Sequence, residues 1–171
     1  MNFSFLKTVA RAAVTAELIK KIHEKLTQDN ITVAAAESLT GGRVAAALTA
    51  LPGSSVFFQG GVVAYSNQLK VELLGVPMEV IARHGAVSEE CARAMATGVR
   101  RKLGVGAAVA TTGIAGPEGG TAVKPVGLVW MAAVFGHTVI TQKKVFTGDR
   151  DAITEASVTE ALGLLYNTIN K

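Results

Sequence analysis

A single cysteine, Cys91, stands in the whole 171-residue sequence, so no internal disulfide can form, and a lone thiol suits a reducing compartment. A cytoplasmic location is the expectation. Aromatic residues make up only 5% of the chain, which leaves little to stack on nucleic-acid bases. The formal net charge of +4 is spread over scattered residues and short clusters such as Lys20-Lys21, Arg100-Arg101-Lys102 and Lys143-Lys144. Nucleic acid is therefore a minor expectation, and a small anionic ligand suits the same mild charge. The longest uncharged apolar run, VGLVWMAAVF at 126–135, falls well below the roughly 18 residues that a membrane-spanning helix needs. At the N-terminus, Lys7 and Arg11 interrupt the apolar stretch that a signal peptide would require.

Several chemistries are missing as well. No G-x-x-x-x-G-K-[ST] loop, no G-x-G-x-x-G turn after a strand and no Cys/His cluster with metal spacing occurs. The three histidines, His23, His84 and His137, fall in an amphipathic helix, at a helix end and in a hairpin turn, away from the polar loops described below. A serine, histidine and aspartate triad accordingly has poor support.

What is present is a composition 49% hydrophobic and 18% charged, that of one compact domain spanning residues 1–171. Apolar positions Leu6, Val9, Ala13, Leu18, Ile19, Ile22 and Leu26 recur at helical spacing, predicting a helix over 5–29. ITVAAA then reads as a buried strand, 43–51 as a helix closed by Pro52-Gly53, and 57–66 as a strand with a bulge at Gly60-Gly61. NQLKVELLG, a short piece after Pro77 and a segment opened by Ser88 read as helices, the last ending at Gly104. Residues 106–112 form a short apolar strand, 126–135 and 138–146 a hairpin about Gly136-His137, and 149–169 a closing helix. Helix and strand alternate for most of the length, which predicts an α/β fold: a mixed sheet with helices on both faces.

In such sheets ligands sit beyond the carboxyl ends of the parallel strands. That rule selects AESLTGG at 36–42, the cluster Tyr65-Ser66-Asn67 with Lys70, and TTGIAGPEGGTAVKPVG at 111–127. The plain reading of the first is a capped turn, with Ser38 or Thr40 as helix N-cap and the glycines allowing the bend. For Lys70 it is a solvated helix lysine, for Tyr65 a packed core aromatic, and for Arg150 an exposed ion pair. The chemical reading is that Lys70, made neutral by desolvation, accepts the proton of the Ser38 hydroxyl. The Gly41 and Gly42 amides at the helix start would then face a developing oxyanion. Glycine-rich 111–127, with Lys124, suits wrapping an anionic or amide-bearing ligand. Arg150, at a helix start after Gly148-Asp149, suits a phosphate.

Taken in order, AESLTGG, GGVVAYSNQLK, TTGIAGPEGGTAVKPVG and FTGDR make the chain resemble the C-terminal domain family of the competence/damage-inducible protein CinA, the nicotinamide-nucleotide amidohydrolases, over roughly residues 15–168. The resemblance implies a three-layer α/β/α sandwich with a central mixed sheet. It also implies hydrolysis of nicotinamide mononucleotide to nicotinate mononucleotide and ammonia, with neither metal nor other cofactor. Carried over residue by residue, it makes Ser38 the nucleophile, Lys70 the base and Tyr65 a proton relay or orienting hydroxyl. Asn67 and Thr112 would lie beside the reacting amide, with Glu37, Thr40, Gly41, Gly42 and Gly113 around the substrate and Arg150 on its phosphate. The oxyanion would rest on amides near the glycine pair or around Thr112-Gly113, and the pyridinium on Glu37 or Tyr65. Ala122-Val123 depart from the proline and glutamate that relatives often carry before KPVG, and the expectation is a single C-terminal-type domain without the larger N-terminal domain of full-length CinA proteins. A homo-oligomer, most simply a dimer, is expected. Three alternatives stay open: a non-catalytic nucleotide-binding or competence-related module, a serine amidase for another small amide, and, last, a basic DNA-associated competence factor.

Overall fold

The computed structural model describes residues 3–171, with side chains from residue 13 onward. Helix α1 (Phe3–Gln28) is followed by β1 (Val33–Glu37), α2 (Arg43–Leu48), β2 (Phe58–Val63), α3 (Asn67–Leu74), α4 (Met78–His84) and α5 (Glu89–Leu103). Then come β3 (Ala107–Gly113), β4 (Leu128–Phe135), β5 (Thr138–Val145) and α6 (Arg150–Ile169). Of the apolar positions expected on α1, Leu6 and Val9 lie outside the residues with described side chains, whereas Ile22 and Leu26 are buried.

The five strands form one sheet in the order β2-β1-β3-β4-β5. β1 runs parallel to both β2 and β3, and β3-β4 and β4-β5 are antiparallel. Successive residues of a strand face opposite sides, and two separate cores result. Val33, Ala35, Val109, Met131 and Ala133 point toward Ile22, Leu26, Leu162 and Leu165 of α1 and α6. Ala34, Ala36, Ala108, Ala110 and Ala132 point toward Met95, Ala96 and Val99 of α5 and Leu74 of α3. The expected three-layer α/β/α sandwich with a mixed central sheet is what forms. The second face is nearly all alanine, so α5 lies close to the sheet, and at Gly98 an added Cβ would run into the Leu74 carbonyl.

Three local expectations shift. α2 stops at Leu48, not Leu51: the Thr49 hydroxyl donates back to Ala45 O and Ala46 O, and Gly53 takes φ +89°, outside helical space. In the β1-β2 pairing Val33 meets Phe58 and Ala34 meets Gly60, so Gln59 is the extra residue of the bulge. The N-cap of α2 is Gly42, with φ +100° and no side-chain cap of its own, not Ser38 or Thr40. By contrast, Ser88 caps α5 as expected, its Oγ accepting from Cys91 N, and Asp149 caps α6 by accepting from Ala152 N.

Candidate active site

Because β1, β2 and β3 are parallel, their carboxyl ends open on one edge of the sheet, bringing Ser38, Ala64-Tyr65 and Thr111-Thr112-Gly113 together. Lys70 joins them from α3. A helical side chain leans back toward the helix N-terminus, and Lys70, in the first turn after the Ser66 cap, is carried back over the exit of β2. Its Nζ donates to Ala64 O at 2.9 Å and Tyr65 O at 3.1 Å, and lies 3.1 Å from Ser38 Oγ.

Lys70 is only 1% exposed, and burial, which strips water from an ammonium group, pulls its pKa below the ordinary lysine value. The neighbouring Cys91 thiol would oppose that shift only as a thiolate, but burial pushes it up to about 11, so it is uncharged at neutral pH. Three acceptors around one nitrogen suit both protonation states. The ammonium fills all three; the neutral amine keeps both carbonyl bonds and turns its lone pair to the Ser38 O–H.

The corner AESLTGG works differently from its sequence-based reading. Glu37, the last residue of β1, is buried, and its carboxylate accepts from the N–H groups of Gly42 (3.0 Å), Val44 (3.1 Å) and Ala45 (2.8 Å). It therefore caps α2 from the strand, with both oxygens engaged by helix N–H groups. Gly41 N donates to Ser38 O, so neither glycine amide is available to an oxyanion. No acceptor for the Leu39 or Thr40 N–H occurs among the described residues. Thr40 is fully buried, with Oγ1 2.7 Å from Thr111 Oγ1, a brace between β1 and β3.

A cavity of about 180 Å³ sits over Ser38 and Lys70. Leu39, Thr112, Gly113 and Ala115 line it on the strand side, Tyr65 and Asn67 at the exit of β2, and Ala86 and Val87 along the segment between α4 and α5. The Thr112 hydroxyl is already committed, donating to Ala86 O at 2.7 Å. Arg150, exposed at the start of α6, donates from Nη2 to Tyr65 Oη at 2.7 Å and from Nη1 to Gly116 O at 2.8 Å, so the expected phosphate anchor stands against the expected relay. Lys124 is half-buried and engaged: its Nζ donates to His84 O and Val87 O. Val123 is exposed at the tip of the same loop. His84 pairs with Glu90, His23 contacts Pro52 O, and no histidine lines the cavity. Among the described residues no cluster of three metal-capable side chains exists, and no helix is long and apolar enough to cross a membrane. A larger hollow of about 470 Å³ beside Val14 and Tyr166 is almost wholly apolar and offers no comparable chemistry.

Sequence reasoning did not reach Leu39, Ala86, Val87 or Ala115. Aliphatic side chains carry no chemical signature, and only the folded chain shows that they are walls.

The family model of the CinA C-terminal domain matches residues 15–169. The chain belongs to that family. It is 45% identical over 149 residues to nicotinamide-nucleotide amidohydrolase PncC of Pseudomonas putida, covering 86% of this chain and 93% of that one. It is 47% identical over 152 residues to a putative competence-damage inducible protein of Desulforudis audaxviator, but spans only 37% of that protein's length. Among solved structures, the competence/damage inducible protein CihA of Agrobacterium tumefaciens superposes with a TM-score of 0.89 at 39% identity, over 92% of this chain and 96% of the other. CinA-family membership thus agrees with the α/β fold of the chain.

Proposed function

We propose that this chain is a nicotinamide-nucleotide amidohydrolase that converts nicotinamide mononucleotide to nicotinate mononucleotide and ammonia. The observation that carries the reading is the buried Lys70 amine 3.1 Å from Ser38 Oγ, with a lowered pKa and no competing carboxylate. The likeness to the P. putida protein, which bears that name, supports the substrate class.

In the proposed reaction, neutral Lys70 takes the Ser38 proton as Oγ attacks the carboxamide carbon. The new C–O bond pushes the carbonyl electron pair onto oxygen, where the unengaged Leu39 and Thr40 N–H groups are the nearest candidates for an oxyanion hole. Lys70 then returns the proton to the departing nitrogen, the C–N bond breaks, and ammonia leaves an acyl-serine. Water repeats the sequence on the ester with the same base, releasing the carboxylate and restoring Ser38. With Glu37 committed to α2, the Tyr65 ring at the rim is the surface left for the cationic pyridinium, by cation–π contact. Arg150 donates to the phosphate at the mouth, exchanging its bond to Tyr65 Oη for a charged one. The chemistry needs no metal.

One observation favours a second reading. At about 180 Å³ the cavity is smaller than the roughly 300–1,000 Å³ of ordinary ligand pockets, enough for the amide-bearing ring but not for ribose and phosphate. A serine amidase for a small free amide would use the same Ser38 and Lys70 without Arg150. Ammonia release by purified protein from nicotinamide mononucleotide, set beside release from nicotinamide, separates the two. Equal specificity constants would favour the small-amide enzyme, and no release above that of Ser38→Ala would favour a binding module.

A further inference from the structure

The segment joining α4 to α5 forms one wall of the cavity through Ala86 and Val87, yet it belongs to no regular element. Four consecutive carbonyls there, those of residues 84–87, are each held by a side chain. Ser88 Oγ donates to Gly85 O at 2.8 Å and Thr112 Oγ1 to Ala86 O at 2.7 Å. The other two, His84 O at 2.6 Å and Val87 O at 2.8 Å, both accept from Lys124 Nζ, which reaches across from the glycine-rich loop. Lys124 is thus, among the described residues, the side chain that spans the segment, gripping both of its ends. Gly85 between them has φ +77°, and a Cβ there would come within 2.9 Å of the Lys124 nitrogen, so the backbone closes tightly round the ammonium. Charge-assisted bonds of this kind are shorter and stronger than neutral ones.

We propose that Lys124 is a positioning residue: by holding the His84 and Val87 carbonyls it fixes the Ala86-Val87 wall opposite the reacting groups, and so places the amide over Ser38. The inference rests on the amidohydrolase reading for its kinetic consequence and on geometry alone for the tie itself. Lys124 lines no part of the cavity and touches no reacting atom. Its effect passes through the wall, and a misplacement of about 1 Å can cost around 100-fold in rate.

Three proteins decide it: wild type, Lys124→Met, which keeps the aliphatic stem without the charge, and Lys124→Arg, whose fork can still donate to two carbonyls. Amide hydrogen exchange is followed over residues 84–91, together with kcat and KM for ammonia release from nicotinamide mononucleotide. The expected result is local acceleration of exchange in Lys124→Met, a kcat lower by about 10- to 100-fold with a much smaller change in KM, and recovery of both in Lys124→Arg. Unchanged exchange in Lys124→Met overturns the tie. Faster exchange with unaltered kcat overturns the positioning role while the amidohydrolase reading stands. If wild type releases no ammonia, that reading fails, and exchange alone then judges Lys124: acceleration reversed by arginine supports the tie, and no acceleration overturns it.

Discussion

Replacing Lys70 by methionine removes the amine while keeping an unbranched apolar stem of similar length. General-base assistance is worth about 100- to 10,000-fold, so kcat for ammonia release should fall by that factor, roughly 3–5 kcal/mol at 1.36 kcal/mol per decade. KM should move far less, because Lys70 touches the hydroxyl and two carbonyls and not the body of a substrate. Stability supplies an independent check. In wild type the buried amine has a lowered pKa, so over the window between that pKa and the unfolded value of 10.5 the unfolded chain binds more protons than the folded one. Folding stability therefore rises with pH through that window, and below it the folded state bears the full cost of a buried charge. The methionine variant lacks this slope but orphans the Ala64 and Tyr65 carbonyls, at about 1–3 kcal/mol each if no water reaches them. The measurements are a coupled ammonia assay and urea unfolding, both from about pH 6 to 10. Wild-type kcat should climb with pH to a plateau as Lys70 loses its proton, and the stability gap between the two proteins should widen in favour of wild type from that pKa upward, toward the unfolded value of 10.5. A variant retaining more than a tenth of the wild-type rate, or parallel stability curves, would refute the claim that Lys70 is a buried, neutralisable base.

Glu37→Gln should lower the thermal midpoint by about 2–6 °C, because three helix N–H groups lose a carboxylate partner worth about 1–2 kcal/mol, and a melt followed by circular dichroism reads it. A midpoint unchanged within about 1 °C would return Glu37 to the list of candidate ligand contacts. Arg150→Ala should raise KM for nicotinamide mononucleotide by about 10- to 100-fold, as loss of a charged hydrogen bond does, and by less for free nicotinamide; equal effects on the two would remove Arg150 from the phosphate site. Gly98→Ala should destabilise the fold by about 1–3 kcal/mol in denaturant titration, since its Cβ meets the Leu74 carbonyl between α3 and α5.

How far the site could be read from the sequence varies residue by residue. Ser38 and Lys70, 32 positions apart, were paired by a rule of topology, since parallel strands empty on one edge, and by a rule of helix geometry, since Lys70 leans back toward its own N-terminus. The second rule is local and the first follows from the alternation of strands and helices along the chain. Glu37 reads as a ligand contact in the sequence because a carboxylate beside two glycines looks the same whether it faces a ligand or, as in the fold, reaches around to cap the following helix. The reach depends on Gly41 and Gly42 adopting φ of +58° and +100°, which the letters permit without requiring. Lys124 likewise looked like a ligand contact in a glycine-rich loop, and nothing in KPVG indicates that the carbonyls it binds belong to residues 84 and 87.

The periodicity of apolar residues, the capping serine and aspartate and the glycine stops settled which segments are helix and which are strand, because these are properties of neighbours in the chain. Alternating elements with buried strands then left a mixed sheet between helical layers as the arrangement that hides every apolar face. Which polar groups are spent on the fold and which remain for chemistry was decided only when distant segments met. A hydrogen-bond donor is free or committed according to partners tens of residues away, and an amine loses its water according to how tightly strands and helices close around it. For that reason the chain's letters could nominate Lys70, but only its burial at the edge of the sheet lowers its pKa as the proposed base requires.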